Sequence, residues 1–396
     1  MGFTKMKKTL AALAVLGAFA GSAAAADVTL YGLVDYGFLY NYDKLQDFTG
    51  ASESENTFKL ESGVDSPSRF GLKGTEDLGN GMQVSFILEN GFNGDDGTMG
   101  QDSRLFGREA SLSLSGAFGT VSFGRMGGVA SSAGSYDLVY AIGDAFDGGD
   151  NAIIGFAMSD RYDNMVTYQT PAFAGLQLTA QYSFKQDSKD KMGDEGDFST
   201  ANRYAGVALT GEYGPAQFVA AWELQKYGHG EYPADARALK DDGNTFYVGG
   251  NYDFGVAKVF AMGQYFQHLT NLTINGTDLF GGVDDDAFFE TPASLYEGLK
   301  GYGLHLGAIV PVVGGDLTVG AYYADYKLDG VPSNVVVNDE GNYYGLAARY
   351  EYPLSKRTTV YTGAGYGEFS VDSVKGQTND ATHKLVQAYV GMMHRF

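Results

Sequence analysis

The feature that most constrains this chain is an alternation of apolar and polar residues, sustained over segments of roughly ten residues or more. From Leu176 to Lys185, Leu176, Leu178, Ala180, Tyr182 and Phe184 take one face, and Gln177, Thr179, Gln181, Ser183 and Lys185 take the other. From Asn244 to Phe254, Phe246, Val248, Tyr252 and Phe254 oppose Thr245, Gly249, Asn251 and Asp253. From Asn342 to Tyr352, Tyr344, Leu346, Ala348, Tyr350 and Tyr352 oppose Gly345, Arg349 and Glu351. A period of two is the signature of a strand with unlike faces. The 57 glycines fit that reading, because each would cost about 1 kcal/mol inside a helix.

Two all-β architectures share the pattern. A soluble sandwich turns its apolar face inward, whereas a transmembrane barrel turns it out to lipid and encloses a polar interior. Length favours the barrel. Crossing a bilayer takes about 9–11 tilted residues, against about 5–6 in an ordinary strand. The connections favour it too. Short turns at Glu76–Gly81, Ala117–Gly119 and Gly314–Gly315 alternate with long polar stretches such as Asp43–Asn56, Gly94–Asp102, Gln186–Thr200 and Asp329–Glu340. About sixteen strands are expected, the first from Val28, the second from Thr57, the fourth from Ser103 and the last from Lys384. The last strand closes on Phe396 itself.

The N-terminus reads as an export signal. Lys5, Lys7 and Lys8 precede the apolar run Leu10–Ala20 and the small residues Ala24, Ala25 and Ala26, the order of a cleavable secretory peptide. The expected domains are therefore a signal peptide over 1–26 and one barrel over 27–396. The chain has no cysteine, so no disulfide supports it. A net charge of −21 leaves no basic footprint for nucleic acid.

One stretch breaks the rhythm. From Gly124 to Arg161 the chain is rich in glycine and alanine, acidic in its second half, and flanked by Arg125 and Arg161. Unpatterned loops of this length are uncommon and usually functional.

Several stretches together resemble the general (non-specific) porins of Gram-negative bacteria, of the beta-proteobacterial and neisserial kind. They are VTLYGLVDYGF from Val28, SRFGLKGTEDLGNGMQVSFILENGF from Ser68, FGREASLSLSGAFGTVSFGR from Phe106, RYDNMVTYQTP from Arg161 and the terminal MHRF. The resemblance implies a sixteen-stranded homotrimeric barrel in outer-membrane lipid and lipopolysaccharide, with its third long loop folded into the lumen. It implies a passive channel for small hydrophilic solutes and ions, with no cofactor and no catalysis. By its pattern Arg69, Arg108 and Arg161 fall on wall positions of a charged constriction, and Asp144, Asp147 and Asp150 are the facing loop acids. Asp137 is a weaker candidate acid. Guanidinium holds a fixed charge at any working pH, and rings of charge at a narrowing bias which ions pass.

The residues qualify that picture. Arg69 shares parity with Gly71 and Lys73, which places Lys73 in the lumen nearer a turn. Leu112 and Leu114 share the parity of Arg108, which would turn leucines inward and Ser111 and Ser113 outward. Arg104 competes for the same place, and Arg125 opens the loop and is expected to anchor its base. Leu33 follows LYG where some relatives carry lysine, and Asp35, at the same parity, should face the lumen and thin the positive wall.

Other signals lead nowhere. His229, His268, His305, His383 and His394 show no metal-ligand spacing. Asp284–Asp286 lacks the ligand order of a calcium loop, and Asn271 and Asn275 head glycosylation-like triplets that arise by chance. No serine sits in a nucleophile-elbow context, which argues against a barrel lipase or protease. A substrate-specific channel for a small anionic or sugar solute is the alternative reading.

Overall fold

The computed structural model describes residues 27–396 except 155–156, 191–192, 229–240, 271–272, 275–276, 279–296, 332–337 and 375. The export signal over 1–26, His229, Asn271, Asn275 and Asp284–Asp286 lie outside the described residues.

The strands follow in order. The first group is β1 (Asp27–Gln46), β2 (Ser52–Ser62), β3 (Arg69–Gly79), β4 (Met82–Gly91), β5 (Glu109–Gly116) and β6 (Gly119–Gly127). Next come β7 (Arg161–Gln169), β8 (Leu176–Ser183), β9 (Arg203–Tyr213), β10 (Ala216–Lys226), β11 (Gly243–Asp253) and β12 (Lys258–Leu269). A small separate hairpin, β13 (Thr273–Ile274) and β14 (Thr277–Asp278), precedes the long strands β15 (Gly298–Val312), β16 (Gly315–Asp329), β17 (Glu340–Pro353), β18 (Thr358–Val371) and β19 (Ala381–Arg395).

Neighbours pair antiparallel around a closed sheet, and β1 closes it on β19 from Leu33 opposite Arg395 to Gln46 opposite Thr382. On its other side β1 pairs with β3 over Asp27–Leu33 and with β2 over Tyr36–Gln46. Thus β2 and β3 are halves of one barrel strand, interrupted at Gly63–Ser68, and the barrel has sixteen strands. Closure of β1 on β19 lets the wall strands satisfy one another's backbone groups, which is what a bilayer requires.

The faces sort as lipid demands. Val248, Leu306 and Leu346 are 64%, 61% and 58% exposed on the outer surface. Thr179, Gln181, Glu223, Thr245, Gln264 and Gln387 are buried on the opposite face. Exposed aromatics gather at both ends of the wall. Phe118, Phe173, Tyr213 and Phe254 lie near the short turns, and Tyr265, Tyr302, Tyr323 and Tyr344 lie toward the long connections. Such girdles mark the two interfaces of a membrane barrel. Among the described residues no helix is long and apolar enough to cross a membrane.

Three sequence expectations need correction. The strand expected from Thr57 begins at Ser52, and β1 reaches Gln46, so the first long connection shrinks to a turn at Asp47–Ala51. That turn is closed by the Asp47 carboxylate, which accepts from the Thr49 and Ala51 amides at 2.9 and 3.0 Å. The strand expected from Ser103 begins at Glu109, because Gln101, Asp102 and Ser103 all take positive φ and cannot enter a ladder. In β5 it is Leu112 that is exposed outward, while Ser111 is buried and Ser113 bonds the buried Ser122 at 2.7 Å. Arg108 precedes the strand, so the parity of the leucines does not bind it.

The terminal residue completes the wall. The Phe396 amide donates to the Gly32 carbonyl at 3.0 Å, and the Gly32 amide donates to the Phe396 carbonyl at 3.2 Å. Its ring lies over Gly32, where a Cβ would meet Cζ at 2.3 Å and the Arg69 carbonyl at 2.8 Å. Gly32→Val should displace the ring from the closing seam and lower the yield of folded barrel. Heat-modifiable gel migration after refolding reads the loss; an unchanged yield would mean the seam tolerates a side chain there.

Candidate functional site

The connection between β6 and β7 carries a 3-10 turn at Gly134–Tyr136 and a one-turn helix at Val139–Gly143. Its Val129, Ala130, Val139, Tyr140, Phe146 and Ile153 are buried in one cluster with Ala208, Val219, Tyr247, Met262, Tyr322 and Tyr343. Those partners come from the inward faces of β9 to β12, β16 and β17, so the connection packs against the inside of the wall.

Polar side chains of the wall fasten it. Glu223, buried, accepts from the Ala130 amide at 3.2 Å, the Tyr204 hydroxyl at 2.6 Å and the Tyr247 hydroxyl at 3.0 Å. Tyr204 also accepts from the Val129 amide at 3.0 Å. Tyr247 and Tyr140 offer hydroxyls to the Ala157 carbonyl at 2.7 and 3.2 Å. Asn251 donates to the Ile142 carbonyl at 2.8 Å and Gln387 to that of Asp150 at 2.9 Å.

The three expected loop acids divide. Asp144 is buried: it caps its own turn by accepting from the Phe146 amide at 2.8 Å, and it accepts from the Tyr322 hydroxyl at 3.0 Å. Asp150 is buried as well, accepting from Tyr389 at 2.7 Å, with Arg349 at 3.4 Å. Burial pushes both carboxyls up to about 6. Neither lines an open passage; they hold the connection to the wall. Asp147 does line one, its φ of 58° turning it out of a glycine-rich bend.

That passage is a cavity of about 630 Å³. The segment Gly63–Pro67 and residues of the connection border it, and Arg69, Arg108 and Arg161 all line it. The three arginines, far apart in sequence, thus converge on one space with Asp147. Asp137, weighed lightly from sequence, is there too, as are Asp65, Arg349, Glu351 and Arg395, which sequence reasoning missed. A signal for Arg349 was available: it is the one cation on the polar face of its strand. Arg395 likewise lies opposite the apolar face of β19.

The arginines are not equivalent. Arg108 binds Glu89 at 2.7 Å. Arg349 binds Asp65 at 2.7 Å and Glu351 at 3.5 Å. Arg69, Arg161 and Arg395 form no ion pair with any described residue, and Arg69 donates to the Pro67 carbonyl at 3.2 Å.

The remaining candidates fall outside the cavity. Asp35 faces inward but is fully buried; its carboxylate accepts from the Asp65 and Ser66 amides at 2.9 and 2.6 Å and from the Tyr361 hydroxyl. It therefore shapes the break between β2 and β3 and does not thin the positive wall. Lys73 is exposed, its ammonium 5.1 Å from the Tyr31 ring centre. Arg125 donates to the Gly107 carbonyl at 2.8 Å, the Arg161 carbonyl at 3.2 Å and Asp163 at 2.7 Å. Arg104 joins the same Asp163 at 3.2 Å. These two arginines brace the base of the connection.

With this geometry in hand, the comparisons with known proteins agree. The family model described as Gram-negative porin matches residues 11–372. The chain belongs to the Gram-negative porin family. An outer-membrane porin of Bordetella pertussis is 34% identical over 99% of this chain and 100% of the relative. Outer membrane porin protein 32 of Delftia acidovorans is 32% identical over 90% of this chain and 88% of its own. Among solved structures, an anion-selective porin from Comamonas acidovorans superposes with a TM-score of 0.63 at 26% identity, covering 94% of this chain and 100% of that one. The porin is thus an outer-membrane channel of a Gram-negative bacterium, and its family and fold point to transport.

In this porin the acidic side of the cavity is tunable by protons. The protein packed around Asp137, and then the neighbouring Asp147 carboxylate, push its carboxyl up to about 9. It holds a proton below that pH and releases it above, which adds a negative charge beside the arginines that line the cavity. Permeability should therefore shift toward cations as pH rises through about 9. Reversal potentials across a salt gradient read it, and Asp137→Asn should flatten the curve. A slope unchanged in the variant would remove Asp137 from the passage.

Proposed function

We propose that the chain forms a passive diffusion channel for small hydrophilic solutes and ions, with a charged constriction that favours anions. The connection from Gly128 to Asp160 turns into the lumen and narrows it, together with Gly63–Ser68. Small polar solutes cross by reorienting in the field between the arginine wall and the loop carboxylates. The observation that carries this reading is the convergence of Arg69, Arg108 and Arg161 with Asp137 and Asp147 on a single cavity. Five arginines and four carboxylates line that cavity, and with Asp137 protonated at neutral pH the balance is positive.

Export follows removal of a leader over residues 1–26, and the working unit is a homotrimer. Support for an assembly comes from wall height. β5 and β8 have 8 residues each, against 15 in β15, β16 and β19. The low side falls short of the roughly 9–11 residues that span a bilayer and suits contact with other copies of the chain.

A channel devoted to one small anionic solute is the second reading, favoured by the arginine excess. A sugar channel is less well supported, since Phe146 is the one aromatic among the described lining residues. Liposome swelling with solutes of graded size separates the two. Rates that fall smoothly with size, with anions ahead of cations of equal size, support the general channel. Saturable entry of one anion far ahead of its size class would replace it.

A further inference from the structure

The histidines carry no ligand spacing along the chain, yet the fold brings one of them into a cluster of donors. At the end of the barrel where the long connections emerge, one ligand atom each from Asp241, His268 and Glu297 lie within 4.8 Å of one another. Asp241 stands just before β11, His268 near the end of β12, and Glu297 just before β15. A fourth donor borders them: Asp329, at the end of β16, places Oδ2 3.5 Å from His268 Nε2, with Asp241 Oδ2 at 3.9 Å from the same nitrogen.

We propose that Asp241, His268 and Glu297, with Asp329 beside them, bind a divalent cation of the zinc class and tie four chain segments together at the mouth of the barrel. This rests on the rim alone and is independent of the constriction.

Charge supports it. Among the described residues three carboxylates meet one imidazole and one lysine, Lys300, which pairs with Asp329. Carboxylates gathered around an imidazole suit a divalent ion. The donor set selects the ion: imidazole nitrogen with carboxylate oxygen suits zinc and its neighbours, whereas calcium takes oxygen alone. Donors at about 2.0–2.1 Å from a tetrahedral ion stand roughly 3.4 Å apart, so side-chain rotation of about an ångström closes the site.

The backbone holds the ligands in place. The β12–β15 register shifts between Phe266 and Leu269, and His268 takes a φ of 55°. The Tyr227 hydroxyl donates to the His268 carbonyl at 3.1 Å. Gly298 lies against the backbone of His268, where a Cβ would come within 2.6 Å. Gly330 lies under the Glu297 side chain, where a Cβ would meet Cγ at 2.5 Å, and the Glu297 amide donates to the Asp329 carbonyl at 2.7 Å. Two glycines thus leave room for two ligands to approach each other.

The test is isothermal titration of zinc into untagged, EDTA-stripped, folded protein in detergent. One saturable zinc per chain is expected, with calcium unable to compete. His268→Ala and Glu297→Gln should each weaken binding at least tenfold, and both should keep heat-modifiable migration, because neither residue closes the barrel seam. If His268→Ala fails to fold, His268→Gln serves in its place. Absence of saturable zinc binding overturns the proposal. So does wild-type affinity in the histidine variant, or equal competition by calcium, which would reduce the cluster to a solvated acidic patch.

Discussion

Replacing Arg69 and Arg161 together by alanine should move the reversal potential across a salt gradient strongly toward cations. Both guanidiniums line the cavity and neither has an ion-pair partner among the described residues, so no contacting carboxylate cancels their fields in the passage. A unit charge about 5 Å from a permeating ion is worth about 0.8 kcal/mol at the dielectric constant of water. That is roughly a fourfold change in local concentration, in opposite senses for anion and cation, so each lost charge shifts the permeability ratio about sixteenfold before screening. Screening over about 10 Å at 0.1 M leaves much of the effect, and about 3 Å at 1 M removes most of it. Arg349→Ala is the internal control. Its charge is already matched by Asp65, Asp150 and Glu351, so the shift should be smaller. An Arg349 variant that outweighs the double variant would invert the assignment of free and paired charge.

Glu223→Ala should release the connection between β6 and β7 that we propose narrows the pore. The carboxylate gathers the Ala130 amide and the Tyr204 and Tyr247 hydroxyls. Its removal leaves the buried Ala130 amide without its acceptor, at about 1–3 kcal/mol, and takes one acceptor each from the Tyr204 and Tyr247 hydroxyls, which keep Gln181 and the Ala157 carbonyl. The barrel ladder is untouched, because Glu223 contributes only its inward side chain to these bonds. Larger and noisier single-channel conductance with normal heat-modifiable migration is the expected result. Glu223→Gln, which keeps an acceptor, should fall between. Wild-type conductance in Glu223→Ala would mean that the connection does not depend on this anchor.

How much of this was legible in the sequence depends on range. Strand faces are written locally: the alternation at Leu176–Lys185 and Asn244–Phe254 gave the outward apolar surface directly, and strand number followed from counting such segments. The break between β2 and β3 was hidden, because what holds it is Asp35 gripping the Asp65 and Ser66 amides, with Tyr361 and Arg349 arriving from the far end of the chain. Arg69, Arg108 and Arg161 were singled out by resemblance, since no local pattern says that they converge. Of Asp144, Asp147 and Asp150 only Asp147 lines the cavity, and only packing could tell it from the other two. All three sit in the same glycine-rich run, but Tyr322 and Tyr389, which bury the other two, come from β16 and β19. Arg125 shows the opposite case. Its place at the start of the long connection suggested an anchor, and its bonds to Gly107 and Asp163 are those of one.

The central claim is that this chain is an open, charged pore. Planar-bilayer recording of the purified wild-type protein in asymmetric salt tests it most directly. The account predicts conductance that appears in groups of three equal steps, with a reversal potential on the anion side at neutral pH. Correctly folded protein that inserts without conductance would contradict it.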